Sequence, residues 1–158
     1  TESLATVRRV PNEPGMAAKV FTLLAEAGVN VDMIVQASAS TGTADISFTV
    51  PGSAAAKVRD VLQEKQDELG YQSFDIDANV GKVAVVGVGM KTHSGLAAKF
   101  FNALSDEGVN VLMISTSEIR IAALVPLEQL QDAVRALHTA YGLDAEQVEA
   151  VVYGGTGR

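Results

Sequence analysis

The sequence has no cysteine and no tryptophan, and only 5% of its 158 residues are aromatic. Without cysteine, disulfides, thiolate metal ligands and a cysteine nucleophile are all excluded. The two histidines, His93 and His138, are too few for a zinc site in such a chain. We therefore expect no metal site and no cofactor.

Basic residues and long apolar runs are also scarce. The chain has 12 Lys and Arg against 19 Asp and Glu, a net charge of −7, so we expect it to bind neither nucleic acid nor a membrane. No apolar run reaches the roughly 20 residues of a membrane span, and no signal-peptide pattern opens the chain. With 47% hydrophobic and 20% charged residues, we expect globular domains. The absence of cysteine fits a cytoplasmic location, which we expect. The first residue is Thr1, so we expect either a trimmed start or a piece of a longer protein.

Sequence motifs of catalysis are incomplete where they occur. Gly87 and Gly89 begin a glycine pattern, but Thr92 stands where a dinucleotide-binding loop needs its third glycine. A P-loop needs glycine before its Lys-Ser/Thr pair, and Met90 stands there. The carboxylates are scattered over predicted helix surfaces without a convergent pair. We therefore predict no catalytic residue in this chain.

The most informative feature that is present is an internal repeat. Residues 14–34 and 94–114 align without a gap, and 12 of the 21 aligned positions are identical. Two copies of one supersecondary unit indicate two similar modules. Function is therefore expected from the paired module rather than from a single catalytic cleft.

Both halves of the chain show the same order of strand and helix patterns. Alternating apolar residues predict strands at 4–10, 31–38, 46–50 and 74–78 in the first half, and at 83–88, 111–115, 119–125 and 149–153 in the second. Apolar residues at helical spacing predict helices at 16–27 and 53–68, and at 97–104 and 127–141.

Each half is thus predicted to be β-α-β-β-α-β, which is the α+β class and the ferredoxin-like arrangement. We expect two modules, residues 1–79 and 80–158, with terminal strands that could cross between them. Helices should cover one face of each antiparallel sheet, which leaves the other face or an edge strand for association.

The start of the first helix in each module offers a place for a small carboxylate. The N–H groups of a first helical turn are unpaired, and the helix dipole is positive there. The loops at these two places are Asn12–Ala17 and His93–Ala97. The candidate residues in them are Asn12, Pro14, Gly15, Met16 and Ala17 in the first module and Ala97 in the second.

A second set of polar residues follows each first helix. Asn30 and Asn110 can donate and accept hydrogen bonds, and the Asp32 carboxylate could receive an ammonium group. A carboxylate site together with an ammonium site fits a free amino acid. The alternative is that each Gly-Val-Asn segment is only a turn from helix to strand.

These residues carry a family resemblance. A β-α-β-β-α-β module with Pro14-Gly15 and then Val29-Asn30-Val31-Asp32 resembles the ACT domain. The chain as a whole resembles the tandem ACT regulatory region of bacterial aspartokinase. The motifs that carry this second resemblance are Val29–Gln36, Gly81–Val83, Gly87–Gly95, Val109–Ile121 and Val152–Arg158.

The resemblance implies a non-catalytic regulatory region of aspartate kinase. Such a region binds threonine, lysine or both where ACT modules pair, and so exerts allosteric feedback inhibition on aspartate phosphorylation in lysine, threonine and methionine biosynthesis. It implies a homodimer through ACT–ACT pairing and an aspartokinase catalytic subunit as partner. The chain is similar to the regulatory subunit that some bacteria make separately, or else it is a fragment of a longer kinase.

Carried over by position, the resemblance implies a set of effector contacts in each module. They are Asn12, Ala17, Asn30, Val31, Asp32 and Gln36 in the first module, and Ala97, Asn110, Val111, Ser117 and Glu118 in the second. Ser117 and Glu118 fit a polar edge strand equally well.

Three positions depart from the family pattern, and they bear on the effector. Asn12 and Leu112 stand where relatives often carry acidic residues, and Met16 follows Gly15. Fewer carboxylates weaken the case for lysine, whose second ammonium needs a partner when it is desolvated. We therefore predict threonine over lysine.

The other hypotheses are a different ACT-repeat amino-acid sensor, such as a transcription factor subunit, and a purely structural dimerisation module.

Overall fold

The computed structural model describes residues 2–87, 95–117 and 119–142, and the backbone of Ala150–Gly155. The chain divides into two compact units, one of residues Glu2–Ala78 and the other from Asn79 onward. Within the described residues, no helix is long and apolar enough to cross a bilayer. The module boundary after residue 79 stays a prediction of the sequence.

The first unit is an antiparallel sheet covered by helices. Its elements are β1 (Glu2–Pro11), α1 (Met16–Glu26), β2 (Ile34–Ser38), β3 (Thr43–Pro51), α2 (Ala55–Glu64), α3 (Gln66–Leu69) and the first residues of β4 (Ser73–Gly87). The strand order is β2-β3-β1-β4. Side chains from β1, β3 and the helices form one buried core, which includes Val7, Val20, Leu24, Phe48, Val58 and Leu62.

The apolar spacing of α1 explains why this helix lies on the sheet. Val20 and Leu24 are fully buried, and the Phe21 and Phe48 rings meet edge to face at 5.4 Å between centroids. Gly15 at the N-cap and Gly28 after the helix have φ of 91° and 80°. Glycine suits these two places because its lack of a Cβ permits a positive φ.

The second unit repeats this arrangement. Its elements are the rest of β4, α4 (Leu96–Asp106), β5 (Met113–Thr116), β6 (Arg120–Pro126), α5 (Leu130–Tyr141) and β7 (Ala150–Gly155). The strands pair antiparallel in the order β7-β4-β6-β5. Its core is built in the same way from Val83, Val85, Phe100, Leu104, Ile121, Ala133 and Leu137. The predicted fold class, two ferredoxin-like α+β modules, is confirmed.

One predicted gap between strands is wrong. The sequence predicts separate strands at 74–78 and 83–88, but β4 runs without interruption through Gly81. A Cβ on Gly81 would lie 2.8 Å from Leu130 Cδ2. This glycine therefore allows close packing against α5 rather than a turn.

Three predicted boundaries also shift. The helix predicted at 53–68 is broken at Lys65, whose φ of −103° and ψ of 17° leave the α-helical region. Strands β2 and β5 begin at Ile34 and Met113, later than predicted. Before β2, Asp32 N–H and the Met33 carbonyl both bond the Thr49 backbone, and Met33 N–H donates to the Thr49 hydroxyl (3.0 Å). Two residues thus pair with Thr49, so the regular one-to-one ladder begins at Ile34. The predicted strand ends at Val88 and Glu149 lie outside the described residues.

Candidate functional site

The path of the chain into the site is set by a β-bulge in β1. Val7 pairs with Ile46 and Val10 pairs with Ala44, so Arg8 and Arg9 together oppose one residue of β3, Asp45. Arg9 has a φ of 58°, and its N–H donates to Asp45 Oδ1 (3.0 Å). Because the bulge absorbs one residue, Val7 and Val10 both face the core.

The loop after β1 leads directly into α1. Asn12 N–H donates to the Gly42 carbonyl (3.0 Å), which attaches the loop to the β2–β3 turn. Met16 N–H donates to the Glu13 carbonyl (3.2 Å), and no side chain caps the start of α1. The Met16 N–H is thus already bonded, and the next N–H groups of the first turn, those of Ala17 and Ala18, are available to an acceptor from outside the helix.

A cavity of about 250 Å³ lies beside this helix start. Five residues of the predicted site line it: Asn12, Gly15, Met16, Ala17 and Gln36. This volume lies just below the roughly 300–1,000 Å³ of pockets for drug-sized ligands. The cavity therefore suits a small metabolite.

Hydrogen bonds join the polar side chains of the cavity. Asn12 Nδ2 donates to Ser38 Oγ (3.2 Å), and Gln36 Nε2 lies 3.5 Å from Asn12 Oδ1. The two amides thus come from different elements, the β1–α1 loop and β2, and meet at one side of the cavity. They offer oriented donors and acceptors to a polar ligand.

The sequence did not identify the apolar wall of the cavity, and it placed Glu13 in the loop without giving its carboxylate a role. The wall includes Val10, Ala44 and Ile46, which are buried, and Glu13 contributes the carboxylate. Pairing across the β2–β3 hairpin would have indicated one of them, because Gln36 lies opposite Ile46. The position of Val10 depends on the bulge. The sequence gives a weaker indication of it, because Val7 and Val10 are three residues apart and would face opposite sides of a regular strand.

Four predicted residues of the first module do not line this cavity. Pro14 is exposed in the loop, and Asn30 and Asp32 are exposed in the segment between α1 and β2, where Val31 is half-buried. Asp32 N–H donates to the Thr49 carbonyl (3.0 Å). This segment joins α1 to β2, and the contacts predicted for it stay predictions.

The second unit holds the corresponding turn with a side chain. Gln129 Nε2 donates to the Gly108 carbonyl (3.0 Å), and Asn110 N–H donates to Gln129 Oε1 (2.9 Å). We call this pair of bonds the Gln129 bridge. Val111, the next residue of the turn, is partly exposed.

The start of α4 is held by a second polar side chain. Tyr141 O–H donates to the Leu96 carbonyl (2.7 Å), and Lys99 Nζ lies 5.0 Å from the centre of the Tyr141 ring. Burial raises the pKa of Tyr141 to about 12. Ala97, a predicted contact, is exposed in the same helical turn.

The remaining predictions for the second module are only partly described by the structure. Ser117 is exposed at the end of β5, and its N–H donates to the Arg120 carbonyl (2.8 Å). Glu118 and the loop at 88–94, which corresponds to the cavity loop of the first unit, lie outside the described residues. Across the part of the chain that is described, no three His, Asp or Glu side chains cluster as a metal site would require.

Known sequences and structures identify the family. The family model described as the ACT domain matches residues 8–66 and 83–141. The aspartokinase of Corynebacterium glutamicum is 46% identical over 160 residues, which cover all of this chain and 38% of that protein. The aspartokinase of Mycolicibacterium smegmatis is 43% identical over the same share of each chain. This chain therefore spans well under half the length of these curated relatives.

Two solved structures match nearly end to end. A structure of aspartokinase alpha and beta subunits has a TM-score of 0.84 and 43% identity, and the match covers 90% of this chain and 93% of that one. The ligand-free regulatory subunit of aspartate kinase from Thermus thermophilus has a TM-score of 0.83 and 36% identity, with 89% and 92% covered. The chain therefore belongs to the ACT-domain family and, within it, to the tandem ACT regulatory region of aspartokinases.

Proposed function

We propose that this chain is a non-catalytic sensor of a free amino acid, threonine in preference to lysine, that inhibits an aspartokinase by feedback. The observation that carries the proposal is the cavity at the uncapped start of α1, where the amides of Asn12 and Gln36 meet. It combines donors for a carboxylate, polar groups for a side chain and an apolar wall within one unit.

Each part of threonine has a suitable partner in this cavity. The first turn of α1 near Ala17 offers backbone N–H groups and a positive helix end to the carboxylate. Glu13 offers a carboxylate to the ammonium group. The Gln36 amide can bond the hydroxyl, while Ile46 and Val10 face the methyl group.

The charge of the lining supports threonine over lysine. Among the described residues that line the cavity, Glu13 is the one acidic side chain. If it pairs with the α-ammonium, the second ammonium of lysine has no carboxylate partner there. Desolvating an unpaired charge is costly, so lysine should bind more weakly.

Calorimetry with each amino acid tests the site. Gln36→Ala should weaken threonine binding by about tenfold, which corresponds to about 1.4 kcal/mol, the loss of one good hydrogen bond. Gln72→Ala is a matched control, because Gln72 precedes β4 in the same unit and does not line the cavity. Equal threonine affinity in wild type and Gln36→Ala would refute the site.

Asn30→Ala distinguishes the cavity from a larger site. Asn30 was predicted as a contact, but it is exposed and does not line the cavity. If the effector touches only the cavity, this variant should bind threonine as the wild type does. A loss as large as that of Gln36→Ala would show that the effector site extends to the turn before β2.

Inhibition is proposed to act through a shift between two arrangements of the kinase. Threonine can favour the inhibited arrangement only by as much as it binds that arrangement more tightly. Adding this chain and threonine to an aspartokinase that lacks its regulatory region should lower aspartate phosphorylation. Threonine binding without any effect on the kinase would favour a sensor that serves another protein.

We further propose a cytoplasmic homodimer of ACT modules 1–79 and 80–158. All five residues of edge strand β2 are exposed, and Ile34 is 52% exposed. An exposed apolar edge strand favours pairing. Light scattering should give the mass of a dimer for the wild type. Ile34→Lys should shift the mass toward that of a monomer. A monomeric wild type would refute the proposed homodimer. A dimer that binds no amino acid at saturation would favour a purely structural module.

A further inference from the structure

The β1 bulge contains a residue, Arg9, whose backbone has a positive φ although it is not a glycine. Arg9 is the one non-glycine residue with a positive φ in the described part of the chain, at 58°. Side chains with a Cβ rarely adopt this region, and such residues persist only where the surrounding structure holds them. The question is therefore what holds Arg9.

The Asp45 side chain supplies a contact that holds it. Asp45 Oδ1 accepts the Arg9 N–H at 3.0 Å, and Asp45 is the residue that Arg8 and Arg9 together oppose. In the same strand register, Asp45 lies opposite Ala37, the neighbour of Gln36. Asp45 does not line the cavity. It lies in β3, between β2, which carries Gln36, and β1, which leads to Asn12.

The bulge decides which residues reach the cavity. Side chains of a strand alternate between its two faces, so a shift of one residue turns every following side chain to the opposite face. Without the bulge, Val10 would oppose Thr43 instead of Ala44 and would leave the apolar wall. Asn12, two residues further on, would move with it.

We infer that Asp45 is a positioning residue for the effector site. Its carboxylate holds the bulge at Arg8–Arg9, and the bulge places Val10 and Asn12 at the cavity. The inference rests on the proposed function for its binding readout. The register of β1 is a second readout that needs no ligand.

Four variants test the inference by calorimetry with threonine. Asp45→Ala removes the acceptor and should weaken binding by roughly fivefold or more, the value of about one net hydrogen bond. Asp45→Asn keeps a side-chain oxygen and should stay within about twofold of wild type. Adding Arg9→Gly to Asp45→Ala should restore affinity, because glycine adopts the positive φ without help.

Asp75→Ala is the matched control. Asp75 forms an ion pair with Arg8, so this change also removes a carboxylate beside the bulge, but it leaves the Arg9 N–H bond intact. Threonine affinity should not change. If Asp75→Ala weakens threonine binding as much as Asp45→Ala does, the effect comes from losing a negative charge near the bulge, and Asp45 is not a positioning residue.

Two-dimensional NMR of the ligand-free chain separates this inference from the proposed function. Asp45→Ala should lose protection of the Arg9 N–H and the cross-strand contact between Val10 and Ala44, and Asp45→Asn should keep both. If both signals persist in Asp45→Ala, or if adding Arg9→Gly fails to restore the contact between Val10 and Ala44, the inference is wrong. If wild type binds no threonine but the register changes as expected, the proposed function fails and the role of Asp45 in placing the loop stands.

Discussion

The two units share a fold but differ in what holds the segments around the first helix. Counting from Pro51 and Pro126, Ala54 corresponds to Gln129, and Gln66 corresponds to Tyr141. Ala54 packs against the core and Gln66 is exposed. In the second unit the same two positions supply the Gln129 bridge and the Tyr141 bond to the start of α4.

This difference bears on which unit holds the proposed effector site. In the second unit, side chains occupy the Asn110 N–H and the Leu96 carbonyl. Neither α1 nor α4 has a side-chain cap, and the start of α1 opens on a cavity. An N–H group that a side chain already satisfies, such as that of Asn110, is less available to a ligand, so among the described residues the first unit is the better candidate for the proposed effector site.

The largest expected effect concerns what the units have in common. Leu24 and Leu104 occupy equivalent positions on α1 and α4, and both are fully buried. Leu24→Ala and Leu104→Ala should each lower the free energy of unfolding by about 2–5 kcal/mol, from lost burial and the cavity left behind. Urea unfolding measures this. A cost below about 1 kcal/mol in one variant would show that the two cores are not equally well packed.

The next effect concerns Tyr141. Tyr141→Phe removes the hydrogen bond from the phenol to the Leu96 carbonyl and should cost about 1–2 kcal/mol at neutral pH. Burial raises the pKa of Tyr141 from 10.0 to about 12. The stability that comes from the neutral phenol is therefore complete below pH 10 and is lost as the pH rises through 12.

Urea unfolding at two pH values tests this contribution. Wild type should lose stability between about pH 8 and about pH 11, and Tyr141→Phe should lose less. Tyr71→Phe is the matched control in the first unit, where Tyr71 O–H donates to the Leu62 carbonyl (2.5 Å) and burial also raises the pKa of Tyr71. If Tyr71→Phe reduces the loss of stability between about pH 8 and about pH 11 more than Tyr141→Phe does, the first unit depends more on its buried tyrosine than the second.

A smaller effect is expected at the Gln129 bridge. Gln129→Ala should cost about 1 kcal/mol, because the two bonds are partly open to water and water can replace them. The Asn110 amide should then exchange its hydrogen faster. Gln131→Ala changes an exposed glutamine in the first turn of α5, just after Gln129, and should change neither quantity. Unchanged exchange at Asn110 in Gln129→Ala would mean that the bridge does not hold the turn.

The smallest effect is expected at the exposed ion pairs. Arg8–Asp75 in the first unit and Arg135–Asp132 in the second join side chains that are about half exposed. Arg8→Ala and Arg135→Ala should each change stability by less than about 1 kcal/mol, because such pairs gain little in water. Thermal unfolding at low and high salt checks this. A salt-dependent loss well above that value in one unit would identify a stronger network there.

The sequence predicts the elements well because their signals are local. Helical spacing and alternation identify α1, α4 and the strands of both units, and the identical positions identify the duplication. The continuity of β4 is not local, since Gly81 is explained by the packing of Leu130 from a distant helix. From the sequence alone, a glycine that makes room for a neighbouring side chain cannot be distinguished from a glycine that permits a turn.

The candidate site is predicted in part for a similar reason. Asn12, Met16 and Ala17 follow from the rule that a helix start attracts carboxylates, and Gln36 follows from the family resemblance. Val10 and Glu13 could not be assigned, because their places depend on the bulge and on how the loop folds back. Asn30 and Asp32 remain predictions, and the structure places them in an exposed turn outside the cavity.

The bulge in β1 has a consequence for changes in chain length. Because two residues there oppose one residue of β3, the strand can lose one of them and still pair Val7 with Ile46 and Val10 with Ala44. A deletion at any other place in the ladder would shift the register and expose core side chains. Deleting Arg9 would therefore remove the residue with a positive φ and still leave Val10 opposite Ala44, with Asn12 two residues further on. A chain that is one residue shorter at this place should keep both its fold and the lining of the cavity.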